Sequence, residues 1–496
     1  MTKRNEYLFL LIILILAILT RFYNLGGPSL FNDELATVHF ASSKNLSEMF
    51  NEYILKDVHP PGFQIMMYWV VHNLGDNEFW LRFPTAIAGI IAVFGMYVLG
   101  KYMFSSKEGL IASAMTVVLW APLYYSQEAR PYSFLFMFSI FSVYYWLRIV
   151  DNLREGKQVK LVWVIKFIII GILSSYFQYL GLFFQILLAL ASIFIFIKNR
   201  SKLIKIILIF AVIGIAFLPW LPFAIDQISV GPDWIQKPKK LAFGYFLAFL
   251  FNLSPYILAI ALILFAVVLI HSIKIKFSSN NYFINKDLFL ALWLVIPFSI
   301  IFVKSLISKP ILTYYSLMIS APAAYLLFAR GITLLKIKEN YKNMIAIVLF
   351  LFTSWQLICD MKYYTEPYKD HFIVFGERFK KRTKEMFREA AIYLKDNYNK
   401  YPNSIIAAYV WFPFYFDYYF EKINFDKKVQ IHVLDSRDTI KFIDNSLIKQ
   451  SDYIWLIRGH KEIDTAYFDW MEKKYKLIHH EAMIGADVWL YKINRK

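Results

Sequence analysis

Eleven apolar runs, each long enough to cross a lipid bilayer, dominate this chain of 496 residues. A transmembrane helix needs about 20 apolar residues. The composition agrees, because 58% of the residues are hydrophobic, against about 45–50% in soluble domains. We therefore predict a polytopic α-helical membrane protein. The predicted spans are residues 7–21, 83–103, 108–125, 131–150, 161–179, 181–197, 203–221, 243–270, 288–303, 311–330 and 342–359.

Lysine and arginine residues cluster on alternate connections between these runs. Cytoplasmic loops of membrane proteins are enriched in these residues. The pattern therefore places the N-terminus on the cytoplasmic side of the membrane and the C-terminus on the outer side. The same bias explains the net charge of +18, and nucleic acid is not an expected partner. The first run has no small-residue cleavage site and is interpreted as a retained anchor. A single cysteine, Cys359, excludes an internal disulfide.

Two domains follow from this pattern: a transmembrane bundle over residues 1–359 and a smaller extracytoplasmic domain over 360–496. The bundle includes a first outer loop, residues 22–82, with short helices predicted at Leu35–Phe50 (capped by Asn32 or Asp33) and Gly62–Leu74. In the second domain, frequent charges and alternating patterns predict an α/β fold. Its predicted elements are a helix at Glu377–Asn397 and strands at Ser404–Val410, Ile454–Ile457 and Val488–Tyr491.

An adjacent acid pair, Asp33-Glu34, follows the first span and opens the outer loop. A carboxylate at the membrane surface can accept a proton from a hydroxyl group or help to hold a metal ion. The alternative is that both acids only cap the next helix, where negative charge is favoured. The composition does not decide between the two.

Two further outer segments carry polar groups that could serve chemistry. In the first, Asp57 and His59 precede a stiff Pro-Pro pair and could line a cavity, or could belong to a solvated loop. In the turn from Tyr125 to Tyr132, Glu128 is followed by Arg130 at the start of the next span. There Arg130 could bind a phosphate together with backbone N–H groups, or could reach lipid headgroups beside Glu128. Asp33, Glu34 and His59 are also candidate ligands of a divalent metal ion.

Later outer loops add Asp233, Trp234, Lys304 and Lys309. Basic residues on the outer side oppose the usual bias, which suggests a lipid-phosphate ligand, although single surface lysines are common. The C-terminal region contains no GxGxxG, P-loop, HExxH or GxSxG motif.

The order of these motifs resembles the GT-C membrane glycosyltransferases of the protein-mannosyltransferase/aminoarabinose-transferase type, which are called family 39-like. The resemblance rests on the segments SLFNDELATV, DVHPPGFQIMMYWV, YYSQEARPYSFLFMFS and LPWLPF within residues 1–240. It implies an active site at the outer membrane surface and a polyprenyl-phosphate-linked sugar donor, with a lipid, glycan or protein acceptor. It also implies inversion at the sugar, with Asp33 as general base beside Glu34. Asp57, His59, Tyr125, Glu128 and Arg130 would line the cavity, and Arg130 would contact the carrier phosphate.

Two positions depart from the family pattern. Gln178 stands where many relatives have histidine, and Tyr314 stands where an arginine is usual. Lys304 and Lys309 are the candidates to replace this missing cation.

Two other classes of function fit a membrane protein of this size. A transporter or flippase of a lipid-linked or anionic substrate would place charges inside the membrane and repeat its halves. Here the apolar runs are nearly free of charge, and the acids of interest gather on one face. In a membrane-anchored binding protein, the C-terminal region would be the active part. The acid pair at the membrane surface favours the enzyme.

Overall fold

The computed structural model describes residues 2–230, 234–278, 285–364, 371–374, 377–380, 384–434, 446–461 and 464–494. Its N-terminal part is helical. The helices are α1 (Lys3–Phe22), α2 (Asn32–Ala41), α3 (Leu46–Glu48), α4 (Gly62–Asn73), α5 (Glu78–Met103), α6 (Ser106–Val118), α7 (Trp120–Ser126), α8 (Tyr132–Arg154), α9 (Leu161–Phe177), α10 (Tyr179–Phe196), α11 (Arg200–Phe217), α12 (Leu221–Val230), α13 (Ala242–Leu250), α14 (Pro255–Ser278), α15 (Lys286–Ile307), α16 (Ala321–Leu334) and α17 (Glu339–Trp355). Short 3₁₀ or π turns lie at Met49–Tyr53, Ile54–Lys56, Leu218–Trp220, Ser316–Ser320 and Gln356–Asp360.

The predicted fold class, a polytopic helical bundle followed by an α/β region, is confirmed. Within the described ranges, nine helical segments are long and apolar enough to cross a membrane, and the bent pair α6–α7 makes a tenth if it crosses as one. The remaining predicted span corresponds to α9, which is a shorter apolar helix of 17 residues. We name the end of the bundle that carries residues 22–82 the loop face.

Two of the predicted spans are broken rather than continuous. The span predicted over 108–125 bends by 62° between α6 and α7, because in a straight helix the ring of Pro122 would clash with the carbonyl of Val118. The span predicted over 243–270 is interrupted between α13 and α14, where Asn252 and Leu253 have positive φ. The two breaks meet, since the backbone N–H of Trp120 donates to Asn252 Oδ1 at 2.7 Å.

The predicted helix Leu35–Phe50 is wrong at both ends. Helix α2 already begins at Asn32, after Phe31. It ends at Ala41, because the hydroxyl groups of Ser42 and Ser43 turn back to carbonyls of the last turn, at 2.7 and 2.8 Å. Such side-chain bonds compete with the helix backbone. The second helix predicted in this loop, Gly62–Leu74, is present as α4.

The C-terminal region contains a mixed five-stranded sheet. Its elements are β1 (His371–Val374), β2 (Glu377–Lys380), α18 (Phe387–Tyr398), β3 (Ser404–Val410), α19 (Phe414–Lys422), β4 (Ile431–Val433), α20 (Ser446–Gln450), β5 (Tyr453–Gly459), α21 (Thr465–Lys474), β6 (Lys476–Glu481) and β7 (Val488–Lys492). The strand order is β4-β3-β5-β7-β6, with β3 parallel to β4 and β5 and with β7 antiparallel to its neighbours.

The three strands predicted in this region are confirmed, but the helix predicted over Glu377–Asn397 is wrong in its first half. Residues Glu377–Lys380 form β2, an antiparallel partner of β1, and the helix begins only at Phe387. Pairing with a neighbouring strand overrides the helical pattern there.

Strand β3 is buried on both faces, and its alternate residues belong to two different cores. Ile405, Ala407 and Tyr409 face one cluster together with α21. Ile406, Ala408 and Val410 face a second cluster with α18 and α19. That second cluster continues into α2 and α4 of the loop face, through Leu35, Val38, Phe63 and Met67 among others. The C-terminal region and the first outer loop therefore share one hydrophobic core.

Glycines set the closest approach of two membrane helices, α5 and α6. A Cβ atom on Gly109 would lie 2.5 Å from the backbone oxygen of Tyr97. Small residues at such crossings let helix backbones touch.

We expect Gly109→Ala to lower the melting temperature in detergent by several degrees, because forcing a methyl group into a packed crossing costs about 1–3 kcal/mol. The matched control is Gly214→Ala in α11, where a Cβ would meet nothing within 4 Å. Equal melting temperatures of the two variants would contradict the close crossing.

Candidate active site

An ion pair between Glu34 and Arg82 lies at the centre of the loop face. Glu34 is in the first turn of α2, and Arg82 is near the start of α5. The guanidinium donates from Nε to Oε1 at 2.8 Å and from Nη2 to Oε2 at 2.7 Å. Both side chains are fully buried. This two-point pairing makes use of both carboxylate oxygens, as is typical of strong arginine–carboxylate contacts.

Arg82 also organises the turn that precedes α2. Its Nη1 donates to the carbonyls of Leu25 and Pro28 at 3.0 and 2.8 Å, and its Nη2 donates to that of Ser29 at 3.0 Å. The Gly-Gly-Pro turn is thus wrapped around one guanidinium. Sequence reasoning missed Arg82. The available signal was an arginine at the start of an apolar span, where an unpaired charge is costly.

Glu34 receives two further donors from distant parts of the chain. The backbone N–H of Ala129 donates to Oε1 at 2.8 Å. The ammonium of Lys384, from the C-terminal region, lies 3.6 Å from the same oxygen and donates to the carbonyl of Gln127 at 2.7 Å. Burial alone would raise the pKa of Glu34, but Arg82, Lys384 and the Ala129 N–H lower it to about 2. The carboxylate is therefore held ionised.

For Lys384, in contrast to Glu34, the effect of burial on the pKa outweighs that of the oppositely charged neighbours. Burial and the nearby Arg82 lower its pKa to about 8, although Glu34 and Glu128 act to raise it. Sequence reasoning did not single out this lysine. It is more than 300 residues from the acid pair, in a region without catalytic motifs.

Asp33 differs from Glu34 because its side chain stays partly open to solvent. The amide of Asn32 donates to its Oδ1 at 3.2 Å. Its backbone oxygen accepts from the hydroxyl of Thr37 at 2.9 Å, and Arg130 Nη1 donates to the same hydroxyl at 3.4 Å. Burial raises the pKa of Tyr415 in α19, and the charge of Asp33 raises it further. Asp33 thus lies one helical turn before the residue that Arg130 contacts, and close enough to Tyr415 of the C-terminal region to affect its pKa.

Asp57 and His59 form a second polar group beside Arg130. Both carboxylate oxygens of Asp57 lie 3.2 Å from His59 Nδ1. Burial acts to raise the pKa of Asp57, but His59, the Val58 N–H and Arg130 together lower it. Asp57 also interacts electrostatically with Tyr179. The structure therefore brings together the outer-loop acid, the histidine and the arginine of the later turn.

The other predicted site residues have varied surroundings. Glu128 is buried, and it is close enough to Lys384 to act to raise the pKa of that lysine. Tyr125 packs against Tyr132, with ring centroids 5.3 Å apart. Gln178 is buried, and its Oε1 accepts the N–H of Tyr179 at 2.7 Å.

The remaining predicted residues belong to later connections. Lys304 Nζ donates to the backbone oxygen of Lys309 at 2.6 Å. The side chain of Trp234 is 65% exposed. Asp233 lies outside the described residues.

The sequence makes Asp33, Glu34 and His59 candidate ligands of a divalent metal ion. In the described part of the chain, no three histidine, cysteine, aspartate or glutamate side chains are grouped so that they could hold a metal ion. Both oxygens of Glu34 are also taken up by Arg82.

Comparisons with known proteins agree with this architecture. Residues 58–225 match the family model of dolichyl-phosphate-mannose-protein mannosyltransferases. No curated protein matches the sequence. Among solved structures, ArnT from Cupriavidus metallidurans in the apo state is similar with a TM-score of 0.59 and 10% identity, over 97% of each chain. The same protein bound to undecaprenyl phosphate gives 0.55 and 11%, over 99% of this chain and 98% of that chain.

The oligosaccharyltransferase of Archaeoglobus fulgidus, in complex with Zn and sulfate, has a TM-score of 0.56 and 12% identity, over 97% of this chain and 72% of that chain. The chain therefore has the GT-C fold, and the predicted resemblance to the protein-mannosyltransferase/aminoarabinose-transferase type is confirmed.

We expect Glu34→Gln to destabilise the protein by about 3–5 kcal/mol, because it leaves Arg82 buried without its counter-charge. Thermal unfolding in detergent measures this. The matched control on the same loop is Glu52→Gln. Its partner Lys56 and Glu52 itself are 65% and 59% exposed, so we expect a loss below about 1 kcal/mol.

The pH dependence gives a second readout. The pKa of Glu34 is about 2 in the folded protein and 4.5 ordinarily. Its stabilisation is therefore complete above pH 4.5 and is lost as the pH falls towards 2. Glu34→Gln lacks this contribution in that window. An unchanged pH profile would contradict the assignment.

Proposed function

We propose that this protein is a membrane glycosyltransferase that moves a sugar from a polyprenyl-phosphate donor, dolichyl or undecaprenyl, to an acceptor hydroxyl at the loop face. The observation that carries the proposal is the position and the partial exposure of the Asp33 side chain. It is a partly exposed carboxylate at the loop face of a GT-C bundle, next to the buried ion pair of Glu34 and Arg82 and one helical turn before Thr37, to which Arg130 donates. The family match over residues 58–225 and the fold support the reaction class.

In the proposed reaction, Asp33 accepts the proton of the acceptor hydroxyl while the hydroxyl oxygen attacks the anomeric carbon. The bond between that carbon and the phosphate oxygen breaks, and its electron pair leaves with the polyprenyl phosphate. Direct attack inverts the configuration. Glu34 does not take the proton in this scheme, because Arg82 occupies both of its oxygens.

Arg130 is the proposed contact for the leaving phosphate. It lies within reach of Thr37 on α2 and close to Asp57. A guanidinium aimed at the place where negative charge develops stabilises the transition state. The polyprenyl phosphate in the ArnT structure supports a ligand of this kind. Lys304, Lys309, Gln178 and Trp234 remain proposed donor or acceptor contacts.

The proposed orientation places the loop face outside the cytoplasm. The alternation of basic residues supports it. The transmembrane bundle, residues 1–359, would then hold the donor. The C-terminal domain, 360–496, would cover the site from outside.

We expect Asp33→Asn to reduce transfer of radiolabelled sugar at least about a hundredfold, as for loss of a general base. Purified protein in liposomes is tested against a panel of polyprenyl-phosphate sugars. Asp226→Asn is the matched control, since that aspartate is exposed on α12. Equal activity of wild type and Asp33→Asn would reject the base. If all donors were inert with wild type, the result would favour the transporter hypothesis over the enzyme.

We expect Arg130→Gln to raise the donor KM about tenfold or more and to lower kcat, because the phosphate loses a charged partner. Steady-state kinetics with varied donor separates the two effects. Lys56→Gln, an exposed cation on the same face, is the control. An unchanged donor KM and kcat would remove Arg130 from the donor site.

A further inference from the structure

Two consecutive residues of the C-terminal region, Lys384 and Glu385, contact both neighbours of Asp33. Lys384 lies 3.6 Å from the carboxylate of Glu34. Glu385 accepts the backbone N–H of Asn32 on its Oε2 at 2.8 Å. Both side chains are at least 94% buried, with exposed fractions of 5% and 6%. One dipeptide thus contacts the residue before and the residue after the proposed base.

The contact with Asn32 replaces a missing helix cap. The first backbone N–H groups of a helix have no partner within it. Phe31, the residue before α2, has a side chain that cannot accept a hydrogen bond. The carboxylate of Glu385 supplies the acceptor from 353 positions further along the chain. The hydroxyl of Ser29 also donates to the backbone oxygen of Glu385.

The sheet of the C-terminal region holds Glu385 in place. His460, just after β5, contacts Glu385 Oε1 through Nδ1. The N–H of Met386 donates to the carbonyl of Ile484 at 2.9 Å. Gly485 has a φ of +70°, and a Cβ there would lie 2.5 Å from Glu385 Cγ. Only glycine suits that position, so the turn between β6 and β7 closes directly over this glutamate.

Lys384 contacts the residue after Asp33 and the turn that precedes Arg130. It joins the carbonyl of Gln127, in the turn that leads to Arg130, to the carboxylate of Glu34. The dipeptide therefore ties together the two segments that carry the proposed base and the proposed phosphate contact.

We propose that Lys384 and Glu385 are positioning residues for Asp33. This inference rests on the proposed function, in which Asp33 is the base. The C-terminal region then sets the rate of the chemical step as well as covering the site. A catalytic group must be held to within about 0.5 Å, and a displacement of about 1 Å can cost a hundredfold in rate.

The kinetic test compares Glu385→Ala and Lys384→Met with wild type. We expect each to lower kcat about ten- to a hundredfold. We expect Glu385→Ala to leave the donor KM within about twofold, since Glu385 contacts the segment that carries Asp33 and not the turn that leads to Arg130. Glu385→Gln and Lys384→Arg keep the acceptor oxygen and the charge, and we expect them to recover most of kcat. The controls are Glu421→Gln and Lys400→Met, two exposed residues of the same region.

Hydrogen exchange gives a readout that does not depend on activity. Glu385→Ala should speed exchange of amides in the peptide covering residues 29–41, because Asn32 loses its acceptor. If Glu385→Ala does not fold, His460→Ala removes the support of the carboxylate instead and is measured in the same two ways. Exchange and kcat equal to wild type in folded variants would overturn the proposal. A change in donor KM alone would also overturn it.

Asp33→Asn is measured beside these variants, so that the two ideas can fail separately. If Asp33→Asn is inactive while folded Lys384→Met and Glu385→Ala keep wild-type kcat, only the positioning role fails. If Asp33→Asn is fully active, the proposed base fails, and the positioning role fails with it.

Discussion

The buried pair of Glu34 and Arg82 is the interaction on which the loop face depends. It lies where α5 enters the apolar bundle, and each of its charges would be costly there without the other. One guanidinium binds a carboxylate and three backbone carbonyls, so it sets the path of the chain from α1 into α2. The same carboxylate then receives groups from the α7–α8 turn and from the C-terminal region. Four segments that are far apart in sequence thus converge on one ion pair.

This convergence assigns different tasks to two adjacent acids. Glu34 is inside, ionised and saturated with donors, while Asp33 is on the open side of the same turn. A carboxylate that an arginine pairs through both oxygens makes a poor proton acceptor, whereas a partly exposed one can be reached by an acceptor hydroxyl. The strength of the inner contact also fixes the helix turn that presents the outer one. Structural stability and proposed catalysis therefore occupy neighbouring positions without competing for one group.

Much of the architecture could be predicted from the sequence, because long apolar runs reflect the bilayer directly. The acid pair, Asp57-His59 and the Glu128–Arg130 turn were also recognisable, and the structure brings them to one face. The local pattern could not tell which acid is buried, since that depends on Arg82, which is 48 positions away, and on Lys384. The break at Asn252 and the end of α2 at Ser42 likewise depend on tertiary contacts and on serine side chains that hydropathy does not register.

The hydrophobic core shared by α2, α4, α18 and α19 also bears on how the protein is made. A ribosome makes the outer loop several hundred residues before Leu490, a member of the same core. During synthesis the apolar side chains of the loop therefore stay exposed while the remaining membrane helices are inserted. The site beside α2 is completed only after the strands and helices of the C-terminal region have been made. A truncated product would consequently insert into the membrane with an incomplete first loop, and quality control could recognise it by the apolar surface that stays exposed there.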